Sequence, residues 1–276
     1  ATGRSSYLGL ISSSGSMYHN SPQLYSVALG MAAAALVGAA GHAGRWRERP
    51  FVAAAGLAAA SFWFKPSLFT VLAPGLVLAC LLVAQKHRRA ALAAVGILLL
   101  PVLWWVAYPH LAGVEGGGVA MAFDPLAYYR SRAAARFSPA LTAGSWRLAG
   151  AILALSFAAW VIPVVAWAGR AAGALSRRAG EALATARRSV LPVTLAVALA
   201  AGVGMAMLLV EPGERAFHGN FTWSAAAAYV LSLPLLIRLV ADLRSLLWRG
   251  LFTILFAVHL AAGALHLFIL VSEGHL

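Results

Sequence analysis

Acidic residues are scarce in this sequence: 8 Asp and Glu stand against 21 Lys and Arg in 276 positions. Charged residues of both signs make up only 11% of the chain, and 62% is hydrophobic. Water-soluble domains average about 25% charged and about 45–50% apolar residues, so these proportions exclude one, and they exclude a disordered chain as well. Cysteine occurs once, at Cys80 inside an apolar run. No intramolecular disulfide can form, and the thiol reads as a small packing hydrophobe. The sequence has no phosphate-binding glycine loop, no nucleophile elbow and no zinc-ligand spacing. No cofactor and no metal site is expected.

What the chain has in abundance is long apolar runs. A membrane helix needs about 20 mostly apolar residues. Pro22–Gly41, Ala90–Pro109, Leu148–Gly169, Val190–Val210 and Gly250–Val271 qualify, as does the shorter Phe221–Ile237 if Arg238 snorkels to the interface. Phe51–Ala84 is too long for one crossing: at about 1.5 Å per residue it would reach roughly 50 Å against a core of about 30 Å. It carries Lys65-Pro66 near its middle. Two short helices, Phe51–Phe64 and Ser67–Ala84, turning at Lys65-Pro66, fit better.

The distribution of positive charge discriminates between the two layouts, because Lys and Arg collect in short cytoplasmic loops. With the hairpin, one side receives fourteen: Arg45, Arg47, Arg49, Lys86, Arg88, Arg89, Arg170, Arg177, Arg178, Arg187, Arg188, Arg238, Arg244 and Arg249. The other receives seven: Arg4, Lys65, Arg130, Arg132, Arg136, Arg147 and Arg215. A single crossing gives eight against twelve and strands Lys65 in lipid. The expected fold is therefore all-α: a polytopic transmembrane bundle of about eight helices, forming one integral membrane domain over residues 1–276. Both ends of the chain fall on the non-cytoplasmic side of a bacterial inner membrane. With acids included, the cytoplasmic side carries +11 and the outer side +2 of the formal +13. The excess is an orientation signal, and nucleic acid is not an expected partner.

Abundant Ala and Gly suit close helix approach in lipid, and Pro74, Pro101, Pro163, Pro192 and Pro234 are expected to kink their helices. Residues 170–189 alternate Arg pairs with Ala and Leu, as in a cytoplasmic amphipathic segment lying on anionic headgroups. Residues 110–147 form the longest outer loop. Within it, Gly116-Gly117-Gly118 is followed by Asp124-Pro125, which reads as an N-cap and first position of a short interfacial helix carrying Tyr128, Tyr129, Arg130 and Arg132. His259 and His266, seven residues apart in the last helix, read as packing histidines rather than haem ligands.

Candidate chemistry gathers at the outer boundary. Lys65, between two apolar helices, must reach water, a carboxylate such as Glu211 or Glu214, or a phosphate. The loop Glu211-Pro212-Gly213-Glu214-Arg215-Ala216-Phe217-His218-Gly219-Asn220 either is a solvated turn or offers imidazole and amide groups to a sugar or phosphate at headgroup depth.

Three segments carry a family resemblance. Tyr18-His19-Asn20-Ser21-Pro22 entering a helix, the run Ser61-Phe62-Trp63-Phe64-Lys65-Pro66-Ser67-Leu68, and His218-Gly219-Asn220-Phe221-Thr222-Trp223 together resemble polytopic bacterial glycosyltransferases of the GT-C type. The resemblance implies transfer of a sugar from a polyprenyl-phosphate donor at the outer face. Membrane lipids and that lipid-linked sugar would be the partners. Lys65 would contact the donor phosphate, and His19, Asn20, Glu214, Arg215, His218 and Asn220 would line the substrate site. In such enzymes the catalytic carboxylate lies in the first outer loop, and nothing before Tyr18 contains Asp or Glu. The chain also begins Ala1-Thr2-Gly3-Arg4, with neither Met nor a signal segment. The sequence is accordingly expected to be the later part of a longer protein, with the carboxylate outside it. A transporter or flippase of lipid-linked glycans or small solutes, or a non-catalytic membrane scaffold, stands as the alternative.

Overall fold

The computed structural model describes residues 21–41, 46–111, 121–127, 190–210 and 220–272. Seven helices account for most of them. In chain order these are α1 (Ser21–Ala40), α2 (Glu48–Phe64), α3 (Pro66–Val83), α4 (Arg88–Leu111), α5 (Val190–Leu208), α6 (Asn220–Ala241) and α7 (Leu246–Ser272). Two two-residue strands, β1 (Ala122–Phe123) and β2 (Leu209–Val210), pair antiparallel with Ala122 opposite Val210. The expected span Leu148–Gly169, the amphipathic segment 170–189, Tyr128 onward in the outer loop and the glycine triplet lie outside the described residues.

α3, α4 and α5 are each long and apolar enough to cross a membrane. The packing has the same character. α4 buries Ala90, Ala91, Ala94 and Leu98 and exposes Leu92, Leu99, Leu103 and Trp105; Ala94 is 0% and Leu103 60% accessible. α2 likewise buries Ala54, Ala55, Ala58 and Ala59 and leaves Trp63 and Phe64 outside. Along α4 and most of α2, where Phe51 is the buried exception, small residues face inward and large apolar residues outward, the reverse of a water-soluble core. Such a surface calls for an apolar surrounding. Close backbone approach through small residues is the way helices associate in lipid.

α3 is the centre. It packs against α1, α2, α4, α5 and α6, and Leu68, Val71, Leu72, Leu76, Ala79 and Cys80 are all buried along it. Cys80 thus sits where the sequence puts it, inside the packed core. Two glycines set the tightest contacts. A Cβ on Gly75 would run into the backbone carbonyl of Thr194 on α5, and one on Gly202 would lie 2.9 Å from both the Ser224 carbonyl oxygen and Ala228 Cβ on α6. Buried hydroxyls satisfy themselves on backbone carbonyls: Thr194 Oγ1 donates to Val190 at 2.9 Å, and Ser232 Oγ donates to Ala228 at 2.7 Å.

α7 sits at the edge, with Leu255 and Phe256 packed against Tyr229 of α6 and a buried Phe252 stacked on Phe256. Its start is tied back by Arg249, whose Nε and Nη2 donate to the Leu243 and Ala241 carbonyls at 2.5 and 2.7 Å. A cation here satisfies carbonyls at the negative end of α6. Of the prolines expected to kink helices, Pro74, Pro101 and Pro234 lie inside helices. Pro192 lies in α5, two residues from the edge of the described segment, and Pro163 lies outside the described residues.

Glycine substitutions test this packing. Gly202→Leu should lower stability in detergent by about 1–3 kcal/mol, the usual range for overpacking. Gly204→Ala, with nothing within 4 Å of the added carbon, should be neutral or slightly stabilising; thermal unfolding of the purified variants reads the difference.

Candidate functional site

The Lys65–Pro66 junction follows from local chemistry. Proline has no N–H to continue a helix, and the residue before it is pushed out of the α region. Lys65 accordingly adopts φ −157° and ψ 116°, closing α2 and opening α3 with Pro66 at its first position. The junction would leave carbonyls at the end of α2 short of donors, and α1 supplies one. Ser26, fully buried, directs its hydroxyl at the Lys65 carbonyl (3.1 Å) and the Ser61 carbonyl (3.3 Å). Ser61 also accepts the Lys65 N–H at 3.0 Å. Its own hydroxyl donates to Ala58 at 2.6 Å. On the α3 side, Thr70 Oγ1 donates to the Ser67 carbonyl at 3.0 Å.

Aromatic rings surround this turn. Phe62 contacts Phe69 and Trp105 with ring centroids 5.6 and 5.7 Å apart. Trp63 meets Trp104 edge-on at 5.4 Å, Trp104 meets Tyr108, and Tyr25 lies against Phe64. Tyr25, Trp63, Phe64, Trp104, Trp105 and Tyr108 are exposed to the surroundings of the bundle. Tyr and Trp in such a band mark the headgroup level of a bilayer.

The turn is also recessed. Ser26 is bonded at the level of Lys65, and α1 extends five residues beyond it, about 8 Å at the helical rise. Trp105 lies against Phe62, and α4 continues six residues further. Leu68 and Leu231 both flank Gly30, and α6 begins eleven residues before Leu231. Counted at about 1.5 Å per residue, these neighbours pass Lys65 by about one to two helical turns. Lys65, partly exposed, therefore lies in a step between longer helices, next to the positive end of the α3 dipole.

Asp124 is found at the same end of the bundle. Its N–H donates to the Leu208 carbonyl at 3.0 Å, and Leu126 N–H donates to Met207 at 2.6 Å. Together with the β1–β2 ladder, these bonds cap the last carbonyls of α5. Leu126 has φ 57°, so a helix does not run straight on from Pro125, and Asp124 sits ahead of a turn. The ladder is the element that sequence reading missed. Leu209 and Val210 continue an apolar helix pattern, and only the short apolar run Met121-Ala122-Phe123 hints at a partner strand.

Of the expected substrate-site residues, Lys65 is described in full and Asn220 is the first residue of α6. His19, Asn20, Glu214, Arg215 and His218, like the side chains of Asn220, His259 and His266, lie outside the described residues. No group of three or more His, Cys, Asp and Glu side chains is close enough to hold a metal ion among the described residues.

The Ser26 clamp predicts a specific stability effect. Ser26→Ala should cost about 1–2 kcal/mol, because it removes a buried donor shared by two carbonyls. Thr70→Ala, which removes a local bond of an exposed residue on α3, should change thermal unfolding by less than about 0.5 kcal/mol. Comparison with models of protein families, with curated proteins and with solved structures finds no match to this chain.

Proposed function

We propose that this protein is a membrane glycosyltransferase of the GT-C kind, transferring a sugar from a polyprenyl-phosphate donor to an acceptor at the outer face of a bacterial inner membrane. The observation that carries the reading is Lys65: a cation at a helix break, beside the N-terminus of α3, recessed among longer helices and ringed by aromatic side chains. A lipid-borne phosphate at headgroup depth meets there a point charge and a helix N-terminus together. In this reading eight helices span the membrane, α2 and α3 as a hairpin and 148–169 as the crossing between α4 and α5. The aromatic end faces outward, and the end bearing Arg47, Arg49, Lys86, Arg88 and Arg89 faces the cytoplasm.

The chemistry balances simply. The acceptor hydroxyl attacks the anomeric carbon, and the bond from that carbon to the phosphate oxygen breaks. The electron pair leaves with the phosphate, whose developing charge Lys65 stabilises, and a carboxylate base takes the acceptor's proton. Asn220 at the start of α6, with His19, Asn20, Glu214, Arg215 and His218, would contribute to holding the sugar. A transport route would instead call for charged groups at mid-depth. The Asp, Glu, Lys and Arg residues of the described helices lie in end turns, which favours the transferase.

Transfer of a labelled sugar from a polyprenyl-phosphate donor, followed in membranes containing the full-length protein, tests this. Lys65→Ala should lower turnover by about 100-fold or more, the scale for losing one charge-stabilising group in a transition state. Lys65→Arg should recover part of it. Equal turnover in the Lys65→Ala and unsubstituted proteins would remove Lys65 from the donor site.

A further inference from the structure

Sugar transfer to a hydroxyl needs a group that takes its proton. Among the described residues, Asp124 is the one carboxylate at the Lys65 end of the bundle. Glu48 stands at the opposite end, 3.0 Å from His87, and Asp242 lies in the turn between α6 and α7.

Two contacts fix how far Asp124 stands from Lys65. α5 runs against α3, and Gly75 meets the Thr194 carbonyl. From that level α3 returns ten residues to Lys65, while α5 climbs fourteen to Leu208, whose carbonyl accepts the Asp124 N–H. α1 gives the same result independently. Ser26 is bonded at the level of Lys65, and Gly38, twelve residues further along, lies against Leu191 of α5. Leu208 is seventeen residues beyond Leu191. At about 1.5 Å per residue both paths place Asp124 about 6–8 Å past Lys65, between one and two helical turns. Directly packed helices lie about 8–10 Å apart, so Asp124 stands on the rim of the recess that holds Lys65.

The loop holds that residue firmly. β1 ends at Phe123, the Asp124 and Leu126 N–H groups donate to Leu208 and Met207, and Ala127 N–H donates to the Asp124 carbonyl at 3.1 Å. Pro125 has no N–H with which to prolong the ladder. Leu126, at φ 57°, occupies a left-handed conformation that a bulky side chain rarely adopts. Strain of this kind is retained where surrounding bonds over-determine it, and such places cluster at functional sites. Asp124 itself is half-buried.

We infer that Asp124 is the catalytic base of the Lys65 site, held above the donor phosphate by the β1–β2 ladder. The inference rests on the transferase reading and places the base inside this chain, in the loop ahead of α5. As the acceptor oxygen bonds the anomeric carbon, its proton passes to the Asp124 carboxylate. The bond from that carbon to the phosphate oxygen breaks with its electron pair on the phosphate, and Asp124 later gives the proton to water.

The test measures sugar transfer from a polyprenyl-phosphate donor by the full-length protein, retention of polyprenyl phosphate and melting temperature. Asp124→Asn should lower turnover by about 100-fold or more, the scale for losing a general base. It keeps the backbone bonds of residue 124, so melting should be unchanged and retention should stay within about twofold, whereas Lys65→Ala should weaken retention. Added formate should restore part of the turnover of Asp124→Ala, which a merely structural role would not allow. Turnover of Asp124→Asn within about threefold of the unsubstituted protein, with Lys65→Ala inactive, would overturn the inference and leave the transferase reading standing. Lowered melting in Asp124→Asn without formate rescue of Asp124→Ala would overturn it in favour of a structural aspartate. Absence of transfer by the unsubstituted protein would overturn both.

Discussion

The peptide bond between Lys65 and Pro66 is the constraint from which the rest of the bundle follows. It divides an apolar stretch too long for one crossing into helices of 17 and 18 residues. It also turns α3 back through the middle, where five other helices can surround it. The break exposes backbone that an apolar environment does not tolerate. Ser26 on α1 resolves that by donating across the helix boundary to Ser61 and Lys65. The hairpin and the placement of α1 are therefore one structural event. Because each arm is about 26 Å long against a hydrocarbon core of about 30 Å, the turn stops short of its neighbours, and a lysine stands in the resulting step.

Packing around α3 relies on the absence of side chains as much as on their presence. Gly75 admits the Thr194 carbonyl, Gly202 admits α6, and alanines line the inner faces of α2, α4 and α6. Large apolar residues fill the middle along α3, whereas on α4 many of them, Leu92, Leu99, Leu103 and Trp105 among them, point outward. Serine and threonine hydroxyls inside the bundle return to nearby carbonyls instead of seeking water. The two ends of the bundle then differ in chemistry: aromatic rings with Lys65 and Asp124 at one, exposed arginines at the other.

Much of this architecture is legible in the residues. Pro22–Gly41, the paired runs meeting at Lys65-Pro66, Ala90–Pro109 and Val190–Val210 all correspond to helices, because apolar length and a proline break are local signals. Phe221–Ile237 is longer than read: α6 runs from Asn220 to Ala241 and takes Arg238 into its last turn. Arg249 counts in the sequence as one more orienting charge, whereas in the structure it holds the end of α6. Leu209 and Val210 pass for helix until Phe123 and Ala122, 86 and 88 positions earlier, pair with them. The donor role of Ser26 is equally invisible, since its acceptors lie 35 and 39 positions away. Periodicity and composition report on what a segment does alone; they are silent on partners that meet only after the chain has folded. The helix break at Lys65 follows from its neighbour Pro66 in sequence, but the recess of Lys65 depends on the lengths of α1, α4 and α6.

The hairpin itself is open to direct measurement by thiol accessibility. With Cys80→Ala as background, Phe64→Cys and Gln85→Cys place single thiols at the two ends of α3's neighbourhood, both at exposed positions. A membrane-impermeant maleimide applied to intact spheroplasts should label Phe64→Cys and leave Gln85→Cys unlabelled until the membrane is opened. Labelling of both from the same side would contradict a chain that turns at Lys65 and crosses back through α3.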